Sequence, residues 1–261
     1  MDTIAIRVEG VSRQFDQTDG QGPLLVLDGI DLSVSQGEFV SLVGDSGCGK
    51  TTLLKMMGGL VGCEDGTITI NGRGVHGVPD NIGFVFQEPG LLPWRSVTGN
   101  VELALQHKRL PGAKKQEIVR RYLEVTGLTD FAGFPPYRLS GGMQQRVGLA
   151  RALAVDPSVL LMDEPFGALD ALTRAALQVE LGRIVESVGS TVVFVTHDVD
   201  EAIFLSDKVV VMGTRPGRIR AIVEVPGKRP RTREEFASNG AYLELRNRIL
   251  RLIEGVPEAA A

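Results

Sequence analysis

A glycine-rich segment follows a short apolar run, and its residue types suit the binding of phosphate groups. The segment consists of Gly44, Asp45, Ser46, Gly47, Cys48, Gly49, Lys50 and Thr51. Glycines let backbone N–H groups converge on phosphate oxygens, and a helix that follows adds the positive end of its dipole. Lys50 supplies a mobile positive charge, and the Thr51 hydroxyl can ligate Mg²⁺. The pattern predicts a phosphate-binding loop of the Walker A type, with Thr52 among its contacts.

The alternative interpretation is a glycine-rich turn that matches this pattern by accident. The flanking residues argue against it, because 39–43 form an apolar strand pattern and helical spacing begins after Lys50. Cys48 is interpreted as a small residue that fits the loop rather than as a reactive thiol.

Two adjacent carboxylates, Asp163 and Glu164, end a second apolar run at residues 159–162. Asp163 is predicted to hold Mg²⁺, directly or through a water. Glu164 stands where it can polarise an attacking water as a general base. The alternative is a strand-to-turn junction with solvated acids, which the phosphate loop earlier in the chain makes less attractive. Together the two motifs predict a nucleotide phosphohydrolase, and the lack of an Asn-Lys-x-Asp run favours ATP over GTP.

The composition describes a folded chain with nearly balanced charge. Lys and Arg number 28 and Asp and Glu 32, a formal charge of −4 over 261 residues, with 43% hydrophobic residues and a mean hydropathy of +0.07. This balance argues against a nucleic-acid-binding protein with a broad basic surface. No apolar run approaches the roughly 18–20 residues that cross a bilayer, and the opening residues do not resemble a secretion signal. Two cysteines make no disulfide framework, which predicts a reducing cytosol.

Stretches of strand and helix character alternate along the chain and predict an α/β fold. Residues 4–8 and 24–34 alternate β-branched and polar residues, as half-buried antiparallel strands do. Nearly uninterrupted apolar runs, typical of parallel strands covered on both faces, occupy residues 39–43, 159–162 and 192–195. Helical spacing follows Lys50 and recurs over residues 116–126, 144–154 and 171–188.

The distribution of these signals predicts three regions. Strand signals are missing between Gln87 and Leu139, which indicates a mostly helical insertion. After Arg215 the pattern weakens, and one face of a C-terminal helix then collects Tyr242, Leu245, Ile249 and Leu252. The predicted regions are an ATP-binding core with an antiparallel β subdomain (1–87 and 155–225), a helical subdomain (88–154) and a C-terminal tail (226–261).

A third motif makes the interpretation specific. Residues 139–146 read Leu-Ser-Gly-Gly-Met-Gln-Gln-Arg and closely resemble the signature motif of ATP-binding-cassette (ABC) ATPases. Ser140 also suits the N-cap of a helix, so part of its role is structural in either case. The resemblance implies a RecA-like P-loop NTPase core with a mixed, largely parallel sheet, an N-terminal antiparallel β subdomain and an inserted helical signature subdomain. It also implies that Ser140, Gly141, Gly142 and Gln144 face ATP held by a partner's phosphate loop.

Further positions resemble the family one by one over about residues 1–225. Phe15 matches an aromatic that stacks on adenine, with a core or edge phenylalanine as the alternative. Gln87 matches a glutamine that contacts Mg²⁺ and the γ-phosphate. The run Ala168-Leu169-Asp170 matches the loop in which Asp170 joins the two cassettes. His197 matches a histidine that contacts the γ-phosphate, although a lone histidine at a strand end is more often a solvated turn residue.

Three longer runs resemble the importer branch that serves nitrate, aliphatic sulfonates, taurine and bicarbonate. They read FQEPGLLPW at 86–94, DEPFGALDALTR at 163–174 and GTRPGRI at 213–219. The resemblance implies a peripheral ATPase subunit on the cytoplasmic face of the inner membrane. Its expected partners are a second ATPase subunit, favoured as a homodimer over a heterodimer, an integral-membrane permease and, indirectly, a periplasmic or extracellular solute-binding protein. No nucleic-acid partner is expected.

Some alternatives stay open at this stage. The apolar segment with Trp94 is expected to receive a helix of the permease, but Leu91 and Leu92 fit the core of the helical subdomain equally well. A soluble ABC ATPase of DNA repair or translation is a rival function, although such proteins usually carry a long coiled coil or two cassettes. An exporter or lipid-transport cassette would share all the catalytic residues.

Overall fold

The computed structural model describes residues 3–16, 22–167, 169–232, 234, 236 and 240–256. The strands within these residues are β1 (Ile4–Asp16), β2 (Pro23–Ser35), β3 (Phe39–Val43), β4 (Asp65–Ile70), β5 (Arg73–Gly74), β6 (Ile82–Val85), β7 (Val159–Asp163), β8 (Thr191–Val195), β9 (Lys208–Gly213) and β10 (Arg218–Glu224). The helices are α1 (Lys50–Met57), α2 (Val97–Leu103), α3 (Gly112–Val125), α4 (Gly141–Leu153), α5 (Ala171–Val188), α6 (Val199–Leu205) and α7 (Gly240–Glu254), with 3₁₀ turns at Thr129–Phe131 and Pro136–Arg138.

The chain divides into two compact units. The first unit is Met1–Pro79 with Thr191–Ala261, and the second unit is Asp80–Ser190. The three regions predicted from the sequence remain a prediction. None of the helices in the described part of the chain combines the length and apolarity that a bilayer crossing requires.

The first unit contains an antiparallel sheet in the order β2-β1-β4-β5. Its strands alternate buried and exposed side chains along much of their length, as in the pair Ile6 and Arg7. One face therefore packs on the core while the other remains polar. The antiparallel pairing predicted from the alternation of residues 4–8 and 24–34 is confirmed.

A second set of strands in the first unit surrounds β3. This strand pairs in parallel with β8 on one side and with β9 on the other, and all five of its residues are buried. The parallel, doubly covered strands predicted at 39–43 and 192–195 are confirmed. Strand β10 pairs antiparallel with β9. The sequence pattern did not predict it, because most of its residues are exposed or half-buried and Arg218 and Arg220 interrupt the apolar run.

The second unit combines the parallel pair β6 and β7 with helices α2 to α5. The predicted helical insertion between Gln87 and Leu139 is confirmed. Helix α4 begins at Gly141, three residues before the start of its predicted periodic stretch at 144. The Ser140 hydroxyl accepts a hydrogen bond from the Met143 N–H at 3.3 Å and so caps a first turn that carries no apolar periodicity.

The C-terminal segment packs on the first unit through one face of α7. Its buried residues are Tyr242, Leu245, Ile249 and Leu252, as the spacing predicted. They join an apolar cluster that includes Ile203 of α6 and Val209 of β9. The helix is therefore part of the core of its unit.

A buried arginine, Arg231, ties the segment before α7 to the rest of the first unit. Its Nη1 donates to the carbonyl oxygens of Ile203, Phe204 and Ser206 at 3.2, 3.2 and 2.8 Å. Its Nη2 donates to the carbonyl oxygens of 225–227 at 3.4, 3.3 and 3.2 Å. One guanidinium thus satisfies backbone acceptors on two segments distant in sequence.

Replacing this arginine with an apolar side chain is expected to destabilise the first unit. The change Arg231→Met leaves several carbonyls without a donor, so we expect unfolding to become easier by roughly 1–3 kcal/mol, measured by denaturant titration. Arg251→Met, at an exposed position of α7, is the matched control and should change stability by less than about 0.5 kcal/mol. Equal midpoints for the two variants would contradict the role given to Arg231.

Candidate functional site

The phosphate loop predicted at residues 44–51 connects β3 to α1. Gly44 has a φ of +151°, and a Cβ there would lie 2.4 Å from the Met212 carbonyl oxygen. Gly49 has a φ of +91°, and a Cβ there would lie 2.5 Å from Cδ2 of Leu27. Both positions combine an unusual backbone conformation with close neighbours, so only glycine fits them.

Lys50 folds back over this loop. Its Nζ donates to the carbonyl oxygens of Gly44 at 2.8 Å and Asp45 at 3.0 Å, and the residue is only 6% exposed. Cys48 is buried under the loop, with its Sγ 3.6 Å from the lysine nitrogen. The ammonium group is therefore held against the backbone of the loop, where it can attract an anion that binds there.

No side chain in the described part of the chain caps the first turn of α1. Its N-cap residue is Gly49, which is left-handed and offers no hydroxyl or carboxylate. Thr51 and Thr52 are half-buried in this turn, whereas Asp45, Ser46 and Gly47 of the loop are exposed. N–H groups at an uncapped helix start, beside a lysine, suit phosphate oxygens.

His197 is exposed in the turn between β8 and α6. The buried Thr196 hydroxyl bonds to the buried carboxylate of Glu201, and the same oxygen accepts the Asp198 N–H at 3.0 Å. Asp198 in turn caps α6 by accepting from the N–H groups of Asp200 and Glu201 at 2.9 and 3.1 Å. Sequence reasoning missed Glu201, which fixes the turn that presents the histidine.

Phe15 lies near the end of β1 with 37% of its surface exposed. This exposure excludes the alternative that Phe15 is a buried core residue. The Arg13 guanidinium lies 4.8 Å from the centroid of its ring. An exposed aromatic ring suits stacking on a nucleobase. The polar residues 17–21 that follow it lie outside the described part of the chain.

In the second unit, β7 ends at Asp163, which is 7% exposed, and Glu164 follows with a φ of +43°. This left-handed conformation is uncommon for glutamate and ends the extended backbone of the strand. Gln87 follows β6, the parallel neighbour of β7. A Cβ built on Gly167 would lie 3.6 Å from Gln87 Nε2 and 3.7 Å from Glu164 Oε2, so both predicted catalytic side chains border the same point.

The signature residues occupy the start of α4. Ser140 and Gly141 are exposed, whereas Gly142 is buried, and a Cβ on Gly142 would lie 2.8 Å from Cγ2 of Thr173. The Gln144 amide donates to the carbonyl oxygens of Pro136 and Leu139 at 3.1 and 3.3 Å. Its nitrogen therefore supports the preceding turn, a contact that sequence reasoning did not foresee.

Asp170 caps α5 by accepting from the N–H groups of Leu172 at 3.1 Å and Thr173 at 3.0 Å. The pKa of Asp170 is lowered, chiefly by a hydrogen bond from the Thr173 side chain and then by the Thr173 backbone. The exposed carboxylate is consequently ionised at neutral pH. Ala168, earlier in the same loop, lies outside the described residues.

An ion pair joins α4 to α5. Arg146 Nη2 lies 2.7 Å from Glu180 Oε2. Burial raises the pKa of Glu180, and the charges of Arg146 and Arg183 oppose that effect. The pair lies between the helix that carries the signature and the helix that Asp170 caps.

The segment 91–96 is held by a buried asparagine that sequence reasoning also missed. Asn100 Oδ1 accepts the Leu92 N–H at 2.8 Å, and its Nδ2 donates to the carbonyl oxygens of Leu92, Arg95 and Ser96 at 3.2, 3.2 and 3.0 Å. Trp94, by contrast, is 77% exposed, and Leu91 and Leu92 are half-buried. The segment is thus fixed from inside while its tryptophan faces outward.

Comparison with known proteins gives consistent matches. The family model described as ABC transporter matches residues 27–167. The chain is 44% identical over 251 residues to an uncharacterized ABC transporter ATP-binding protein of Methanocaldococcus jannaschii, covering 96% of this chain and 92% of that protein. It is 44% identical over 251 residues to the bicarbonate transport ATP-binding protein CmpC of Synechococcus elongatus, covering 95% of this chain and 38% of that protein.

A solved structure extends the likeness to the fold. It is described as the dimeric structure of a post-hydrolysis state of the ATP-binding cassette MJ0796 bound to ADP and Pi. Its TM-score to this chain is 0.75 at 31% identity, covering 85% of this chain and all of that one. The predicted mixed-sheet P-loop fold, with its antiparallel N-terminal sheet and helical insertion, is confirmed.

Loss of the buried asparagine should release the segment around Trp94. For Asn100→Leu we expect lower fluorescence anisotropy of Trp94, the single tryptophan of the chain, and a stability loss of roughly 1–3 kcal/mol. Asn81→Leu, which removes an exposed side-chain bond to Ser158 elsewhere in the second unit, should leave the anisotropy unchanged. The interpretation fails if both variants give the wild-type anisotropy.

Proposed function

The chain belongs to the ABC transporter family, whose ATP-binding proteins hydrolyse ATP, and from this premise we propose that it is the ATPase subunit of an importer for a small solute. One observation carries the proposal. A single short segment begins with Gln87, beside Glu164, and ends in the exposed Trp94. A membrane partner that binds at Trp94 would therefore influence the position of Gln87 beside Glu164.

The phosphate loop supports ATP as the nucleotide. Gly44 and Gly49 hold its backbone against neighbouring residues where a Cβ would clash, and Lys50 donates to its carbonyl oxygens. In the proposed complex, Lys50 and the N–H groups at the start of α1 bind the phosphates, and Phe15 stacks on the adenine. The loop residues and Thr52 complete this set.

Hydroxyl, amide and carboxylate oxygens are ligands that Mg²⁺ prefers, so the donor set of Thr51, Gln87 and Asp163 fits this ion. When bound, Mg²⁺ supplies positive charge to the phosphate oxygens. Glu164 accepts a proton from the attacking water as general base, and Gln87 helps to orient that water. His197, presented by the turn that Thr196 and Glu201 fix, donates a hydrogen bond toward the γ-phosphate.

Two copies are needed for this chemistry. The chain carries one phosphate loop and one signature, and Ser140 and Gly141 are exposed at the start of α4. We propose that Ser140, Gly141, Gly142 and Gln144 contact ATP bound by a second ATPase subunit, and that Asp170 helps to join the two. The dimeric state of the related ATP-binding cassette supports this arrangement, and a homodimer would give two competent sites.

The importer assignment depends on an exposed apolar surface. Phe86 is 37% exposed and Trp94 77%, and a groove in the same unit is lined by Ile82, Phe84, Leu103 and Val155. We propose that a short helix of an integral-membrane permease binds here and holds the subunit at the cytoplasmic face of the inner membrane. A solute-binding protein would act through that permease.

The likeness to CmpC, which is named as a bicarbonate transport protein, supports a proposal for the solute class. The chain spans only 38% of that protein, so the likeness concerns the shared cassette. We place the solute among nitrate, aliphatic sulfonates, taurine and bicarbonate. No residue of the cassette is proposed to contact it.

Removal of the proposed base should separate ATP binding from hydrolysis. For Glu164→Gln we expect ATP affinity to be retained while turnover falls by about 10² or more, because only the group that accepts the proton is lost. Titration with a fluorescent ATP analogue and a phosphate-release assay measure the two quantities. Near-normal hydrolysis would contradict the role of Glu164.

A second pair of variants tests the phosphate loop in the same assays. Lys50→Ala should lose ATP binding itself, whereas Lys55→Ala, one turn further along α1, should retain both binding and turnover. Unchanged ATP affinity in Lys50→Ala would count against the loop as the phosphate site.

Purification of the tagged chain from its native membranes tests the importer assignment. We expect an integral-membrane permease to co-purify with the wild type and with Glu164→Gln, but not with Trp94→Ser. Leu243→Ser removes another exposed apolar side chain, on α7, and should retain the permease. Recovery of only soluble or nucleic-acid-associated partners would leave the ATPase intact and overturn the importer.

A further inference from the structure

One face of α4 lies against the residues that follow β6. Gln145 Nε2 donates to the Gln87 carbonyl oxygen at 2.7 Å. Three residues on, a Cβ on Gly148 would lie 3.1 Å from Cβ of Pro89. Three residues further, the Arg151 guanidinium donates to the Gly90 carbonyl oxygen at 2.9 Å and to that of Pro89. This i, i+3, i+6 stripe forms a continuous support for residues 87–90.

Gln145 is an unusual choice for that position on stability grounds. The residue is 6% exposed, and its Oε1 has no hydrogen-bond partner among the described residues. Around it lie apolar side chains of α5 and β7, including Leu177, Leu181 and Met162. A buried carbonyl without a donor lowers stability, so an apolar residue of similar size would fit better.

The hydrogen bond that the Gln145 amide donates is directed at the backbone of a proposed catalytic residue. A donor on the Gln87 carbonyl restricts rotation of its peptide plane and hence the direction of its side chain. That side chain ends 3.6 Å from the point beside Gly167 that Glu164 Oε2 also borders. A small displacement there is enough to lower turnover.

We propose that Gln145 is a positioning residue that holds Gln87 in register with Glu164. The inference rests on the proposed function of these two residues and adds a contact from the signature helix. Because α4 begins directly after Ser140, the same helix supports Gln87 at its second turn and presents the signature at its first.

The change Gln145→Met tests the proposal in the purified full-length chain. Met has a similar length and no polar atom that needs a donor, and water can replace the lost donor on the carbonyl of the exposed Gln87, so the thermal midpoint should stay close to that of the wild type. We expect kcat to fall about tenfold while KM for ATP stays within about twofold, because ATP contacts are untouched. Gln116→Met, at an exposed position of α3, is the matched control and should behave as wild type.

A double-mutant cycle distinguishes positioning from general weakening. In a Gln87→Ala background, Gln145→Met should lower kcat by less than about twofold, since the side chain that it positions is gone. The proposal is overturned if the two effects multiply, if kcat is unchanged in Gln145→Met, or if kcat falls only together with the thermal midpoint. Gln145→Leu serves as the second variant if Gln145→Met does not fold.

The cycle also separates this inference from the function on which it rests. Normal turnover in Gln87→Ala would overturn the catalytic role of Gln87, and the positioning role with it. Reduced turnover in Gln87→Ala with normal turnover in Gln145→Met would overturn the positioning role alone.

Discussion

The structure of the phosphate loop depends on the burial of β3 between two parallel neighbours. All five residues of β3 are buried, and β8 and β9 bond to its two edges, so the strand cannot shift without breaking both ladders. Its end therefore delivers Gly44 to a fixed place against the Met212 carbonyl of β9, where no Cβ fits. His197 follows β8, the other neighbour. The same parallel pairing thus fixes the starting points of two proposed site elements in the first unit.

The irregular segments are fixed in a different way, by buried or half-buried polar side chains that donate to backbone carbonyls. Lys50 does this for the phosphate loop, Asn100 for residues 92–96, Arg151 for residues 89–90 and Arg231 for the C-terminal segment. Loops without a ladder of their own have carbonyl groups that need donors when they are buried. Side chains with several N–H groups meet that need, and the segment that Asn100 supports carries the exposed Trp94.

The helices, strands and motifs could largely be predicted from the sequence, whereas the polar side chains that hold the loops could not. Glycines, hydroxyls and strand-end carboxylates have fixed spacings because phosphate geometry demands them, so the residues from Gly44 to Thr51 could be predicted. Uninterrupted apolar runs likewise predicted β3 and β8. Asn100 and Gln145 follow no local rule, because the partner of Gln145 is 58 residues away and that of Asn100 lies in a loop. The edge strand β10 was missed because its arginines interrupt the apolar pattern.

Two features of the second unit reduce stability, and both lie beside Gln87. Glu164 adopts a left-handed φ of +43°, and Gln145 buries a carbonyl oxygen to which none of the described residues donates. Each feature is unfavourable by itself on the order of 1–3 kcal/mol, so neither is explained by folding alone. Both bear on the same small region, since Glu164 Oε2 and Gln87 Nε2 border one point and Gln145 holds the Gln87 backbone. The left-handed Glu164 and the buried Gln145 therefore occur together where they maintain the geometry around Gln87 at the expense of stability.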